Sequence, residues 1–334
     1  MELSIIWCAR MSSTDTLDLS IAIVSYNTRT LSLDCLRSAF ETAGNVTFEV
    51  FLVDNNSHDG TADAVREDYP TVHLIVNRQN RGFSKAVNQA LKISEGRYFL
   101  MLNSDTRLQS QALEHMVACL DRNPDIGAVG CMQRTEDGRM YQSCFPFPSV
   151  RDHLFYAAPF RLWVPTVQAA VASKRVIDCS RSQDVDWING ACLMVRRDLM
   201  NACGGLDEEY FMYFEDIDLC RAIREQGYRI RHLADGDVIH LIGGSGEGNR
   251  AQLNLVWEFS RIRYVEKHFP WWKRWIMKSW IAAGTFAKLI SATAKPESIA
   301  QNTPFGVYLS IISRIVIGNR RPDSEYVWAG HSRG

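Results

Sequence analysis

Between Leu19 and Gln133 the chain alternates short β-branched apolar runs with helical stretches, and nothing else constrains its fold as much. Residues 19–25, 46–54, 72–77, 98–103 and 127–133 read as strands, and 28–42, 61–69, 83–94 and 109–122 as helices. In the third helix Phe83, Ala86, Val87, Ala90 and Leu91 form one apolar stripe at i, i+3, i+4, i+7 and i+8. Asp59 or Thr61 is placed to cap the second. Strands joined by helices of this length need βαβ crossovers, so the expectation is an α/β fold with a mostly parallel, buried central sheet. Ligands in such folds sit beyond the carboxyl ends of the strands. Asp54 and Asp105 fall at or just past two such ends.

The 334 residues allow one large domain with an appendage, or two domains. With 46% hydrophobic and 22% charged residues the chain is neither disordered nor wholly membrane-embedded. A net charge of −1 excludes a globally basic nucleic-acid binder, and no nucleic-acid partner is expected. Nine scattered cysteines lack any C-x-x-C pair and do not form a disulfide framework. They read as small apolar fillers in a reducing compartment. Residues 1–18 form a tail whose apolar stretch at 3–9 has no basic flank, unlike a signal peptide, and Met11 is an alternative start. No uncharged run of about 20 apolar residues predicts a spanning helix. Residues 141–186, broken by Pro146, Pro148, Pro159 and Pro165, read as an irregular excursion over the sheet.

Four places could carry chemistry. Asp54, in Val53-Asp54-Asn55-Asn56-Ser57, can accept the imino N–H of a pyrimidine or simply form an Asx turn. Asp105, after Asn103-Ser104, suits a hard divalent cation or a loop cap. A helix starting near Glu215 would put Asp216 on the face of Leu219, Cys220 and Ile223, with Asp218 nearly opposite and Glu215 a quarter-turn away. Asp216 would then point inward as a general base, the alternative being that all three acids complement the helix dipole. His240, before the glycine-rich loop 243–248, is a candidate metal ligand or a core histidine.

Taken in order, SIAIVSYN (20–27), VDNNSHDG (53–60), NRGFSKAVN (80–88), FLMLNSDT (99–106), WINGACLMVRR (187–197) and GGLDEEYFMYFEDIDLC (204–220) resemble glycosyltransferase family 2. The resemblance covers roughly residues 19–250, and it is nearest to rhamnosyltransferase-like bacterial members that build surface polysaccharide. It implies a GT-A nucleotide-sugar-binding fold over residues 19–255. Ser25, Tyr26, Asn27, Asp54, Arg81, Gly82 and Ser104 would bind the nucleotide, with Gly82 admitting it close to the backbone. Trp187, Asn189, Gly190 and Ala191 would meet sugar and acceptor. Asp105 and His240, with Asn103, would hold Mg²⁺ or Mn²⁺ on the donor diphosphate. Asp216 would be the base and Glu215 its reserve. Asn103 stands where many members have the first acid of D-x-D, and the processive signature Q-x-x-R-W is absent. The implied reaction is a single inverting displacement that moves a sugar (rhamnose, by family likeness) from a dTDP- or UDP-linked donor to a lipid-linked or polysaccharide acceptor.

Residues 256–334 are expected to form a helical region. Its segment 261–295 carries eight basic residues against Glu266 alone, a net +7, interleaved with Trp271, Trp272, Trp275 and Trp280. That pattern suits a helix lying in the interface of a bilayer, so a peripheral position on the cytoplasmic face of the inner membrane is expected. A surface helix packed on the catalytic domain is the alternative, and the apolar piece 305–317 could extend either. Two other classes compete. A dinucleotide enzyme needs G-x-G-x-x-G, and a nucleotidyltransferase a Gly-rich basic loop, where Tyr26-Asn27-Thr28-Arg29 stands. A non-catalytic membrane-bound scaffold is favoured only by Asn103.

Overall fold

A computed structural model describes residues 16–152, 177–241 and 250–294, together with 311, 312 and 315. The expectations for the N-terminal stretch 3–9 and the loop 243–248 lie outside the described residues, as do Pro159 and Pro165. In chain order the elements are β1 (Leu19–Ser25), α1 (Arg29–Thr42), β2 (Phe48–Asp54), α2 (Thr61–Asp68), β3 (His73–Val76), α3 (Phe83–Leu91), β4 (Tyr98–Asn103), β5 (Thr106–Leu108), α4 (Ala112–Arg122) and β6 (Ile126–Arg134). Then come β7 (Met140–Tyr141), β8 (Cys144–Phe145), β9 (Gln183–Val185), β10 (Trp187–Ile188), β11 (Cys192–Arg196), α5 (Arg197–Ala202), α6 (Glu215–Glu225), β12 (Arg229–His240), α7 (Arg250–His268) and α8 (Trp271–Ala294).

The main sheet runs β3-β2-β1-β4-β11-β6-β12-β5. Its first four strands are parallel, as the βαβ pattern requires, and their register matters for function. Ser25 pairs with Asp54, Val24 with Asn103, and Asp54 with Val76, so these strands end along one rim. Beyond β4 the sheet is mixed. β11 enters antiparallel between β4 and β6, and β12 returns parallel to β6. Apolar side chains of β1, β2 and β4 pack on one face against α1 and α4, and on the other against α3 and α6.

Element ends differ from expectation for local reasons. The second helix is entered through Gly60 at φ 79°, and Asp59 accepts the Thr61 N–H at 3.1 Å. The other Asp59 oxygen takes the N–H of Arg29 at 2.8 Å, so one carboxylate serves two helix starts. Helix α4 begins three residues later than expected because Thr106–Leu108 pairs antiparallel with the end of β12.

The expected boundary at 255/256 falls inside α7, and that helix is bound tightly to the catalytic sheet domain. Lys267 reaches Asp207 at 2.9 Å and Asp218 at 2.8 Å, and Arg263 reaches Asp207 at 3.0 Å. Ser260 donates to the Met212 carbonyl at 2.8 Å. Four of the eight basic side chains in the segment, Arg261, Arg263, Lys267 and Lys278, are paired with the fold's own acids. Arg261 is buried against Glu258, and Lys278 meets Glu266 at 2.8 Å. What α8 turns outward is mostly aromatic: Trp271 (71% exposed), Trp275 (67%), Phe286, Trp272 and Ile276. At 100° per residue these five lie within an arc of about 140°. Ile311 and Ile315 pack inward beside Ile262 and Ile281, so that part of the 305–317 piece covers α7 and α8. No described helix is long and apolar enough to cross a membrane.

Candidate active site

The rim formed by β1, β2 and β4 supplies the first cluster. Asp54 ends β2 almost fully buried; one carboxyl oxygen accepts the Ser57 N–H at 3.3 Å while Oδ1 has no partner. Burial pushes its pKa up, and the Ser57 hydrogen bonds pull the other way. A buried acceptor without a donor is what a base N–H would satisfy. Asn27, in a left-handed conformation at φ 52°, accepts the His58 N–H at 2.7 Å and donates its own N–H to Ser57. Tyr26 beside it is half-buried, and desolvation raises its phenol pKa.

Ser25 and Ser104 lie buried beside the rim. Their hydroxyls belong to a buried relay with Thr28 and Ser32, in which Thr28 Oγ1 lies 2.9 Å from Ser25 and 3.1 Å from Ser104. They fasten α1 to the rim. Gly82 likewise leaves its space to protein. A Cβ there would sit 2.5 Å from the Phe211 carbonyl, at φ +82°, and the Phe83 N–H donates to that same carbonyl. Arg81 is exposed, and its N–H points to Asn55 Oδ1 at 3.4 Å.

The second cluster lies where β4, β5, β6 and β12 meet. Asp105 is buried, and the β12–β5 pairing of His240 with Thr106 brings the imidazole alongside it. His240 Nε2 lies 3.4 Å from Asp105 Oδ1. Nδ1 lies 3.2 Å from Gln133 Oε1, and Gln133 exchanges two hydrogen bonds with the Asn189 amide, at 2.5 and 3.2 Å. Because the Asn189 amide also donates to Oε1, the imidazole proton belongs on Nδ1. The Nε2 lone pair then faces a carboxylate, an arrangement that calls for a proton or a cation between them. Two cis ligands of an octahedral ion at about 2.1 Å stand about 3 Å apart, close to the observed separation. Asn103 is half-buried at the strand end, and its N–H donates to the Ala191 carbonyl at 3.0 Å.

The third cluster is the start of α6. The Gly190 N–H donates to Asp216 Oδ2 at 2.9 Å, and the Ile217 N–H donates to Oδ1 at 2.8 Å. Burial raises the pKa of Asp216 and these two donors oppose it. Glu215 is buried deeper, with Oε2 unpartnered; burial first and the Asp216 charge second raise it well above an ordinary carboxyl. Both acids follow Tyr213 and Phe214, two consecutive non-glycine residues at φ 71° and 69°. Such strain survives only where packing imposes it; Phe214 is wedged against Trp257 and Tyr264 of α7. Asp218 corrects the helix-face expectation. It is buried, not outward, because α7 covers that side and brings Lys267 and His268 to it at 2.8 and 2.5 Å.

Gln133 links the clusters and was not singled out in the sequence. Its signal was there: a polar residue directly continuing the apolar run Ile126–Met132, and it proves fully buried. From Asp105 the contacts run through His240 and Gln133 to Asn189, and the adjoining Gly190 N–H reaches Asp216. Trp187 borders this path half-buried, stacked on Phe145 at 4.5 Å with its Nε1–H on the Pro146 carbonyl.

Residues 17–276 match the family described as glycosyltransferase like family 2. The chain belongs to that family. It is 28% identical over 248 residues to an N-acetylglucosaminyl-diphospho-decaprenol L-rhamnosyltransferase of Mycobacterium tuberculosis, covering 70% of this chain and 80% of the relative. Two solved structures share the fold. A mannosyltransferase of Pyrobaculum calidifontis, in complex with GDP-Man and Mn²⁺, aligns at TM-score 0.53 and 18% identity over 98% of this chain and 93% of its own. GalNAc-T7 with UDP, GalNAc and Mn²⁺ aligns at 0.57 and 14%, covering 92% and 58%. This family 2 glycosyltransferase therefore has the GT-A fold.

Proposed function

We propose that this glycosyltransferase is an inverting, divalent-metal-dependent rhamnosyltransferase that moves rhamnose from a dTDP- or UDP-linked donor to a lipid-linked glycan. The observation that carries this reading is the continuous path of contacts from Asp105 through His240, Gln133 and Asn189 to Gly190 and Asp216. The sugar and acceptor follow from the relative of M. tuberculosis, whose name specifies both.

The unpartnered Asp54 oxygen accepts the N–H of a pyrimidine base and so orients the nucleotide along the rim. Asp105 and His240 would hold Mg²⁺ or Mn²⁺, with the neutral oxygen of Asn103 as a third donor. When bound, such an ion stabilises the charge that develops on the departing diphosphate. Asp216, steadied by two backbone N–H groups, removes the proton of the acceptor hydroxyl as that oxygen attacks the anomeric carbon. Attack from the side opposite the leaving diphosphate inverts the carbon. Glu215, whose carboxyl pKa is raised by burial and by the Asp216 charge, stands behind Asp216 as the reserve.

The outward aromatic face of α8 supports a peripheral seat on the cytoplasmic leaflet of the inner membrane, since tryptophan favours the boundary between acyl chains and headgroups. Lys273 lies over the Trp272 ring on the flank of that face, positioned for anionic headgroups.

A panel of nucleotide sugars with Mn²⁺ and a lipid-linked glycan acceptor tests the reaction. The parent is expected to transfer from a rhamnose donor and lose activity with chelator. Asp216→Asn is expected to lose at least 10²-fold in turnover while retaining nucleotide binding. Equal turnover in the two would remove Asp216 from its role, and absence of any donor turnover would favour a scaffold. Flotation with anionic vesicles, lost in Trp271→Ser/Trp275→Ser, tests the membrane seat; undiminished flotation of that variant would overturn it.

A further inference from the structure

A second polar cluster lies outside the catalytic path. Cys144 of β8 and Cys179, at the chain's return toward β9, are both buried, and their sulfurs lie 2.6 Å apart. Unbonded sulfur atoms do not pack so closely; even the smaller carbon atoms prefer about 3.5 Å or more. Two separate groups hold the chain segments in this approach. Gln142 donates its side-chain amide to the carbonyls of both Cys144 (2.6 Å) and Ile177 (3.0 Å). His232 of β12 contacts the Cys179 carbonyl through Nε2 at 2.8 Å, and its buried Nδ1 is without a partner.

We propose that Cys144 and Cys179 are a dithiol–disulfide pair, a redox-dependent clasp beneath the sugar- and acceptor-binding rim. The connection to the rim is short. Cys144 pairs with Ile188 across β8 and β10, and the neighbouring Ser143 carbonyl accepts the N–H of Asn189. Oxidation ties residues 144 and 179 together and so fixes the strand that presents Asn189 and Gly190.

The chemistry is thiol–disulfide exchange with a low-molecular-weight disulfide, RSSR. The Cys179 thiolate attacks one sulfur of RSSR and expels RS⁻, forming a mixed disulfide. Cys144 loses its proton and attacks the Cys179 sulfur, expelling the second RS⁻. The protein dithiol gives up two electrons, RSSR becomes two RSH, and the two cysteine protons finish on those thiols. The polarity of the pair favours this order. The Cys144 S–H, donating to Cys179, holds the latter's pKa down to about 5 and raises that of Cys144. Because both sulfurs are buried, exchange proceeds through local opening and is slow compared with that of surface thiols.

The same three side chains bring ligand atoms within 4.8 Å of one another, which raises the alternative of a bound soft cation. Two thiolates at about 2.3 Å from one zinc ion stand nearly 4 Å apart, far beyond the sulfur separation here, and the described residues supply three ligands rather than four.

The experiment uses the full chain purified without reductant and equilibrated with oxidised glutathione. It is then unfolded in the presence of iodoacetamide, digested and analysed by mass spectrometry. The expected product is a Cys144–Cys179 cross-linked peptide that disappears with dithiothreitol. The oxidised chain is expected to melt roughly 5 °C above the reduced one, a difference absent from Cys144→Ser/Cys179→Ser. Full alkylation of both cysteines after equilibration would overturn the proposal, as would about one zinc ion per chain released by chelator. A cross-link without a difference in melting would overturn the bracing role. The peptide readout needs only the parent chain, so it holds even if the serine variant fails to fold.

Discussion

Replacing Gln133 by methionine isolates what the buried amide does between the metal-ligand candidates and the proposed base. The side chains are similar in length, so no cavity forms and the loss is polar alone. Three contacts disappear: His240 Nδ1 at 3.2 Å and the two Asn189 amide bonds at 2.5 and 3.2 Å. A buried donor or acceptor left unmade costs about 1–3 kcal/mol. Water can reach Asn189 and, to a lesser degree, His240, so the low end applies to them and the fold should lose about 2 kcal/mol in all. The larger effect falls on the site. Without Oε1 to hold the Nδ1 proton, imidazole can turn or change tautomer, and loss of such a supporting partner typically weakens metal binding 10–100-fold. Donor turnover measured against Mn²⁺ concentration should give an activation curve displaced to higher metal by that factor, with circular dichroism and a urea titration confirming a folded chain. A folded Gln133→Met protein whose Mn²⁺ curve overlies that of the parent would refute the reasoning, because His240 would then need no orientation from Gln133.

Gly82→Ala should lower stability by about 2–4 kcal/mol in urea unfolding, from a left-handed backbone and a Cβ 2.5 Å from the Phe211 carbonyl; a change under 0.5 kcal/mol would mean that the Phe211 loop yields freely. Asp218→Ala should cost about 2–3 kcal/mol, since it strips His268 of a buried partner while half-exposed Lys267 keeps Asp207. Proteolysis should then release α7 and α8 sooner than in the parent. Glu215 titrates higher in the fold than in the unfolded chain, so the stability it permits is complete below the unfolded pKa and is lost as pH rises through the folded one. Glu215→Gln should therefore raise the urea midpoint at pH 8 and leave it unchanged at pH 4; the reverse order would mean the buried carboxyl is ionised.

The parts of this fold legible in sequence are those set by local pattern. Continuous apolar runs marked β1, β2 and β4, and the polar residues directly after them pointed to the rim. The insertion of β11 between β4 and β6 was not legible, because antiparallel pairing over such separations leaves no periodic trace. The face of Asp216 was readable from spacing to Leu219, Cys220 and Ile223, all buried. Asp218 was misplaced because helical periodicity describes one packed side, and α6 is packed on two. The partners of the +7 segment were likewise not legible: Glu258, Asp207 and Asp218 lie outside it in sequence and beside it in space. Cys144 and Cys179, 35 positions apart, carry no spacing signature at all.

The wedge of α7 under Phe214 has a practical corollary for anyone wishing to obtain this enzyme free of its Trp-rich end. Ending the chain at 255 would discard Ser260, Tyr264 and Lys267, and with them the pressure that keeps Tyr213 and Phe214 in their unfavourable turn. Asp216, the proposed base, would relax out of position even if the sheet endured. A shortened enzyme that still works should end at the Phe269–Pro270 break, which spares the buttress but uncovers Ile262 where Ile281 now packs.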